Sequence, residues 1–157
     1  MSGQPSAGAA PLLSVYPLFG AGTLGRMGTT QAASPSADFQ LRLPCEPMSV
    51  PRARARVRDW CRDTGIRGDQ IADVQLAVTE AAANAVRHSG CIDFEIRGSV
   101  SEEGFVVCVW DQGGGREEHE ASTGLGTQII RALAESVDFE HTRPGTRVTM
   151  RFPGTPG

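Results

Sequence analysis

Five short segments of the chain have the hydrophobic pattern of β-strands. Their apolar residues either alternate with polar ones or form a short run bounded by turn-forming residues. In DFQLRLP, for example, Phe39, Leu41 and Leu43 alternate with polar neighbours, which suits a strand with one buried face. Turn residues at 102–104 and 143–145 predict two hairpins. The predicted strands cover residues 38–44, 91–100, 105–111, 137–142 and 146–152.

Three other segments repeat apolar residues at a spacing of three or four, the period of an amphipathic helix. They cover residues 49–64, 70–88 and 125–136, and Asp69 is a candidate N-cap for the second. The element order β-α-α-β-β-α-β-β predicts an α/β fold, a two-layer sandwich in which a mostly antiparallel mixed sheet carries helices on one face. The antiparallel central strand pair excludes a doubly wound Rossmann sheet.

Residues 1–36 have a different composition from the rest of the chain. They are rich in Gly, Ala, Ser and Pro, and Arg26 is their only charged residue. Such a segment buries too little apolar surface to offset the entropy lost on ordering. We therefore expect a disordered tail over residues 1–36, or a true start at Met27, followed by one globular domain over residues 37–153.

The composition excludes several classes of function. A net charge of −3 and a pI near 5.6 provide no basic field for nucleic acid or an anionic membrane. Lysine is absent, and all 15 basic residues are arginine. A P-loop, a eukaryotic-type protein kinase and Schiff-base chemistry each require a lysine, so all three are excluded. A nucleotide site in this chain would have to use backbone amides, arginine and Mg²⁺.

The four cysteines are Cys45, Cys61, Cys91 and Cys108, and their wide spacing includes no CxxC pair. This spacing argues against a zinc site and against a disulfide framework. We therefore expect free thiols and a cytoplasmic protein.

The helix at 70–88 carries polar residues beside its apolar stripe. Glu80, Asn84 and His88 are four residues apart, so they share one face of the helix. A hard cation such as Mg²⁺ takes carboxylate and amide oxygens together with phosphate oxygens. The stripe therefore indicates a metal–phosphate site, and a solvated helix edge is the alternative.

Two glycine-rich segments follow this helix. Asp111 ends an apolar strand and begins DQGGG, so its carboxylate lies beside a backbone that a flat ligand can approach. It could accept a hydrogen bond from an exocyclic amine. The segment STGLGT, residues 122–127, opens the last predicted helix, whose N-terminal amides suit a phosphate. A flexible turn and an ordinary helix start are the alternatives.

Taken in order, these motifs resemble one known fold. An ExxxNAxxH helix, a hairpin ending in DxGxG, a GxG that opens a helix and Gly145-Thr146 before the last strand resemble the GHKL, or Bergerat-type, ATP-binding fold. The resemblance spans residues 38–152. Within that superfamily, the segment TEAAANAVRHSG and the single-domain length are most similar to the RsbW-like anti-sigma-factor serine kinases.

The resemblance implies a role for each matching residue. Glu80 would be the general base, Asn84 would bind Mg²⁺, and Asp111 would bind the adenine amino group. Gly113 and Gly115 would make room for the adenine. The phosphates would contact the backbone amides of Gly124, Leu125 and Gly126. Thr146 would lie near the adenine end or the phosphate end of the nucleotide.

The resemblance also implies a function. The protein would bind ATP with Mg²⁺ and act as a serine/threonine protein kinase on an anti-sigma antagonist protein, with a sigma factor as its second partner. We also expect that the protein forms a homodimer and that it does not bind nucleic acid or a membrane directly. The loop that forms the ATP lid in this family is here only Arg116 to Thr123, which is shorter than usual. This departure favours an alternative, a non-catalytic ATP-dependent module that sequesters a sigma factor or another regulator.

Overall fold

The computed structural model describes residues 39–88, 90–113, 124–142 and 145–154. The predicted order of elements is confirmed for these residues, while the predicted tail, residues 1–36, lies outside them. The helices in these ranges are α1 (Ser49–Asp63), α2 (Asp69–His88) and α3 (Leu125–Leu133). The strands are β1 (Phe39–Pro44), β2 (Asp93–Ser101), β3 (Gly104–Asp111), β4 (Ser136–Thr142) and β5 (Gly145–Pro153).

Two helix ends differ from the predictions. Asp69 lies in the first turn of α2 rather than before it. α3 ends at Leu133 because the backbone of Ala134 is extended, with φ −94° and ψ 149°, and β4 begins at Ser136. No helix in the described ranges is both long enough and apolar enough to cross a membrane.

The described strands form one open sheet in the order β1-β2-β3-β5-β4. The pairings between these strands are all antiparallel. The predicted α/β two-layer sandwich is confirmed, with an antiparallel rather than a mixed sheet over the described strands. β5 lies between β3 and β4 and is antiparallel to both. The last residues of β3 and β4 therefore lie beside the first residues of β5, at one end of these strands.

The helices cover one face of this sheet. α2 buries the stripe that its apolar spacing predicts, and α1 buries Ala53, Val57, Trp60 and Cys61 beside it. The sheet meets them with apolar side chains at alternate positions of each strand. Its largest fully buried members include Phe94, Ile96, Val107 and Met150. This packing fixes the rotation of α2 and leaves Glu80 and Asn84 at the border of the buried stripe.

The opposite face of the sheet carries a polar cluster around Glu95. The Glu95 side chain is only 4% exposed and accepts hydrogen bonds from Gln40 at 2.8 Å and from Arg42 at 3.1 Å. Arg97 also pairs with it. Burial acts to raise the pKa of Glu95, but Arg97, Arg42 and Gln40 together outweigh burial and lower the pKa. The alternating pattern predicts a wet face, and side chains from adjacent strands cover this part of it.

Cys45 and Cys91 form a disulfide, with their α-carbons 6.0 Å apart. Antiparallel pairing of β1 with β2 brings the two residues together across 46 positions of sequence. The expectation of free thiols is therefore wrong for this pair. It is correct for Cys61 and Cys108, which are free and buried. Burial raises the pKa of both thiols, that of Cys61 to about 12, so neither is a reactive thiolate at neutral pH.

Reduction of the Cys45–Cys91 disulfide should lower the free energy of unfolding by about 2–4 kcal/mol, because it frees a long loop in the unfolded chain. Urea titrations with and without reductant measure this difference. The Cys45→Ser/Cys91→Ser double variant should match the reduced wild type and be insensitive to reductant. Equal stability of the oxidised and reduced wild type would contradict this prediction.

Candidate functional site

α2 carries Glu80 and Asn84 on the same face of the helix. Both side chains are partly exposed, while Ala81 and Ala85 next to them are buried in the core. His88, the third member of the predicted stripe, is exposed at the end of the helix. Carboxylate and amide groups of Glu80 and Asn84 thus remain accessible at the edge of a fixed helix.

The start of α3 packs directly on this pair. A β-carbon added at Gly126 would lie 2.8 Å from Oε2 of Glu80 and 3.6 Å from the amide nitrogen and oxygen of Asn84. Any residue other than glycine would therefore displace the Glu80 carboxylate. The glycine of the predicted GxG motif therefore lets α3 approach this pair without moving the carboxylate. We call Glu80, Asn84 and the first turn of α3 the α2–α3 cluster.

The first turn of α3 offers backbone donors to this cluster. The first hydrogen bond of the helix runs from the Gln128 N–H to the Gly124 carbonyl oxygen at 3.2 Å. The N–H groups of Leu125 and Gly126 precede it and have no acceptor within the helix. The Leu125 side chain is 73% exposed, so its backbone is the part that belongs to the cluster. Donors at the positive end of a helix dipole suit a phosphate group.

Asp111 ends β3 and is 6% exposed. Its Oδ1 accepts hydrogen bonds from the backbone N–H of Gly113 at 3.1 Å and of Thr146 at 3.5 Å. Burial raises the pKa of Asp111, although these two bonds and the nearby His141 act to lower it. Both bonds described for this carboxylate use Oδ1, which leaves Oδ2 to accept from a ligand.

The start of β5 passes against the end of β3 at Gly145. A β-carbon at Gly145 would lie 1.7 Å from the carbonyl oxygen of Asp111, so no larger residue fits at this position. The close approach brings the N–H of Thr146 to the Asp111 carboxylate. The close contact between the backbones of Gly145 and Asp111 therefore explains why glycine precedes Thr146 in the sequence.

His141 belongs to no motif, yet the structure brings it to the same place. It lies on β4 opposite Thr146, and its Nδ1 is 3.4 Å from Oγ1 of Thr146. The signal in the sequence is its position two residues after Phe139, on the apolar side of an alternating strand. We call Asp111, Gly113, His141 and Thr146 the β3–β5 cluster.

The predicted site residues therefore fall into two groups on elements that touch, since α2 packs against both α3 and β3. Glu80, Asn84 and residues 124–126 form one group, and Asp111, Gly113 and Thr146 form the other. Gly115 and the predicted lid, residues 116–123, lie outside the described residues. The chemical role of each residue stays a prediction.

The α2–α3 cluster fits Mg²⁺ by its donor set. Asn84 supplies an amide oxygen for the ion, the Glu80 carboxylate lies beside it, and the amides of α3 suit the phosphates that share the ion. Mg²⁺ is usually held through about one or two protein oxygens plus phosphates and water, so a larger protein cage is not required.

Comparison with known protein sequences finds a matching domain family and two similar protein kinases. The model of the histidine kinase-like ATPase domain family matches residues 43–152. The chain is 31% identical over 96 residues to the serine-protein kinase RsbW of Bacillus licheniformis, covering 58% of this chain and 60% of that protein. It is 31% identical over 98 residues to RsbW of Bacillus velezensis, covering 59% and 61%. The chain thus spans about three fifths of the length of these curated relatives.

Solved structures support the fold. The RsbU and RsbW domains of a Mycobacterium tuberculosis protein superpose with a TM-score of 0.63 at 21% identity, covering 74% of this chain and 32% of that one. The histidine kinase domain of a blue-light activated kinase from Erythrobacter litoralis superposes with a TM-score of 0.50 at 21% identity, covering 66% and 60%. At this identity the likeness establishes the fold alone.

Proposed function

The chain belongs to the histidine kinase-like ATPase domain family, and from this premise we propose that it is an ATP-binding serine/threonine protein kinase of the anti-sigma-factor type. The observation that carries the proposal is the packing of Gly126 on Glu80 and Asn84, which joins oxygen ligands to the donor end of a helix. RsbW, to which the chain is similar, is named a serine-protein kinase.

The two clusters suit the two ends of ATP. In the β3–β5 cluster, the Asp111 carboxylate accepts a hydrogen bond from the adenine amino group, and Gly113 leaves room for the ring. The same role is proposed for Gly115, which lies outside the described residues. In the α2–α3 cluster, the amides of residues 124–126 receive the phosphates, and Asn84 holds Mg²⁺. The ion, when bound, neutralises phosphate charge, which is much of what phosphoryl transfer requires.

Glu80 is the proposed general base. Its carboxylate accepts the proton of a serine hydroxyl on the substrate protein as that oxygen attacks the terminal phosphate. The position of Oε2 of Glu80 supports this role, because it lies only 2.8 Å from where a β-carbon of Gly126 would stand, beside the donors that receive the phosphates. A base fixed within reach of both reactants avoids an entropic cost in the transition state.

The proposed partners are an anti-sigma antagonist, which is phosphorylated, and a sigma factor, which is sequestered. The surface of α1 supports an acidic protein partner, because Arg52, Arg54, Arg56 and Arg62 are exposed along it. A homodimer and the absence of direct contact with nucleic acid or membrane belong to the same proposal. The proposed location is the cytosol, where ATP is supplied, and the domain must then remain folded when the Cys45–Cys91 disulfide is reduced.

A second candidate is a non-catalytic module that binds ATP and sequesters a sigma factor or another regulator. The short segment Arg116 to Thr123 between the glycine-rich loops favours it, because a short lid excludes water poorly during transfer. Transfer of radiolabelled phosphate from ATP to a candidate antagonist protein separates the two functions.

Calorimetric titration with ATP tests the shared core of both candidates. The wild type should bind ATP more tightly with Mg²⁺ than without it, and Asn84→Ala should lose most of this Mg²⁺ dependence, because the variant lacks the amide oxygen. Asn84→Ala should still bind metal-free ATP like the wild type. A wild type that shows neither heat nor a melting shift at millimolar ATP would refute nucleotide binding.

A further inference from the structure

Within the part of the chain that the structure describes, His141 has one ring nitrogen with a hydrogen-bond partner and one without. Its Nδ1 is 3.4 Å from Oγ1 of Thr146. Its Nε2 is buried, and among the described residues it has no hydrogen-bond partner. Buried polar atoms are nearly always hydrogen-bonded, so the burial of Nε2 restricts which ring nitrogen can carry the hydrogen.

Burial selects the tautomer of His141. A buried N–H without an acceptor is rarer, and costs more, than a buried acceptor without a donor. The hydrogen is therefore absent from Nε2 in the neutral ring and resides on Nδ1. In this tautomer the Nδ1–H of His141 donates to Oγ1 of Thr146.

This bond leaves the hydroxyl hydrogen of Thr146 available to another acceptor. A hydroxyl has one hydrogen and two lone pairs, and here one lone pair accepts from His141. The Thr146 hydrogen is then free to be donated elsewhere, whereas the opposite tautomer would consume it. The backbone N–H of the same residue donates to Oδ1 of Asp111, so the residue that carries the hydroxyl is hydrogen-bonded to this carboxylate where β3 ends and β5 begins.

These two side chains offer a ligand one hydrogen-bond acceptor and one hydrogen-bond donor. The Asp111 carboxylate is an acceptor, and the Thr146 hydroxyl, whose hydrogen the bond from His141 leaves free, can donate. Adenine presents the matching pair, an amino donor at N6 and an acceptor at N1. Guanine and hypoxanthine present an acceptor at O6, which would face the Asp111 carboxylate, and an N1–H that cannot accept from Thr146, so both matching hydrogen bonds would be lost.

We propose that His141 is a positioning residue that determines base specificity, by orienting the Thr146 hydroxyl as a donor toward N1 of adenine, directly or through one water. The inference rests on the proposed ATP site and adds to it the source of discrimination between adenine and 6-oxopurines. His141 acts through Thr146 and need not touch the base.

Matched variants separate this role from simple packing. His141→Asn places an amide N–H near the position of Nδ1 and keeps a donor for Thr146, although it is smaller. His141→Phe keeps the ring volume and removes the donor. A packing role predicts that Phe is the better replacement, whereas the proposed role predicts that Asn is.

The measurement is calorimetric affinity for ATP, 1-deaza-ATP and inosine triphosphate, each with Mg²⁺. In the wild type, ATP should bind more tightly than either analogue, since 1-deaza-ATP keeps the N6 amine and lacks the N1 acceptor. His141→Phe should lose about tenfold in ATP affinity with little change for 1-deaza-ATP, and its preference for ATP over inosine triphosphate should shrink. His141→Asn should retain most of that preference.

The outcomes distinguish this inference from the function on which it rests. If the wild type binds ATP but His141→Phe weakens ATP and 1-deaza-ATP equally, or leaves both unchanged, the role of His141 is refuted and the ATP site stands. The same holds if Asn and Phe behave alike. If the wild type binds none of the three nucleotides, the proposed function itself fails. Circular dichroism melting of each variant identifies one that is not folded, and His141→Asn then provides the test.

Discussion

Asp111→Asn should lower the affinity for ATP by about 10- to 100-fold and at the same time stabilise the nucleotide-free protein. The substitution keeps an oxygen that can accept from the N–H groups of Gly113 and Thr146. It replaces the second oxygen with an amide nitrogen, which is a donor. A donor facing the adenine amino group cannot form a hydrogen bond, so base recognition is lost while the local backbone is preserved.

The gain in stability follows from the pKa of Asp111, which burial raises in the folded protein. A carboxyl whose folded pKa lies above its unfolded pKa contributes most stability below the unfolded pKa. It loses that contribution as pH rises through the folded pKa. At neutral pH the wild type therefore folds with an ionised, poorly solvated carboxylate, and asparagine removes this cost. Urea titrations of both proteins at pH 7 measure the difference.

Asp138→Asn is a matched control, because it makes the same charge change at an exposed position of β4. It should leave ATP affinity unchanged. Normal ATP affinity in Asp111→Asn would contradict the assigned role of this carboxylate. A loss of both affinity and stability would show instead that the variant disturbs the fold.

Local patterns predict much of this structure because they report on burial. The three-four spacing of apolar residues in α2 decides which face packs on the sheet, and this in turn places Glu80 and Asn84 at its border. The GxG at the start of α3 is visible because glycine at position 126 leaves the Glu80 carboxylate undisturbed. In both cases, the property needed for the site is carried by adjacent residues of one element.

Features that depend on strand register are not visible in this way. The contact between His141 and Thr146 requires that β4 and β5 pair with these two residues opposite each other, and a shift of one residue would turn His141 to the other face. The disulfide of Cys45 and Cys91 likewise depends on the pairing of β1 with β2. Periodicity places residues on a face of a strand but does not fix the partner across it.

Glu80→Gln should leave ATP affinity within about twofold of the wild type and lower phosphoryl transfer to the antagonist by about 100-fold or more, the usual scale for a general base. Glutamine has the shape of glutamate, so its packing under Gly126 should be retained. The lost group is the proton acceptor, which matters only when the serine hydroxyl attacks. A variant that keeps substrate binding and loses rate has lost an interaction made in the transition state.

The measurement pairs calorimetry of ATP binding with the initial rate of radiolabelled phosphate transfer to a candidate antagonist protein. Glu135→Gln, which removes a charge at an exposed position between α3 and β4, should transfer phosphate at the wild-type rate. Equal transfer by wild type and Glu80→Gln would refute the role of Glu80, even if kinase activity itself is found. A wild type that binds ATP and a sigma factor but phosphorylates no antagonist would establish the sequestering module, because both functions need the nucleotide site and only the kinase needs the base.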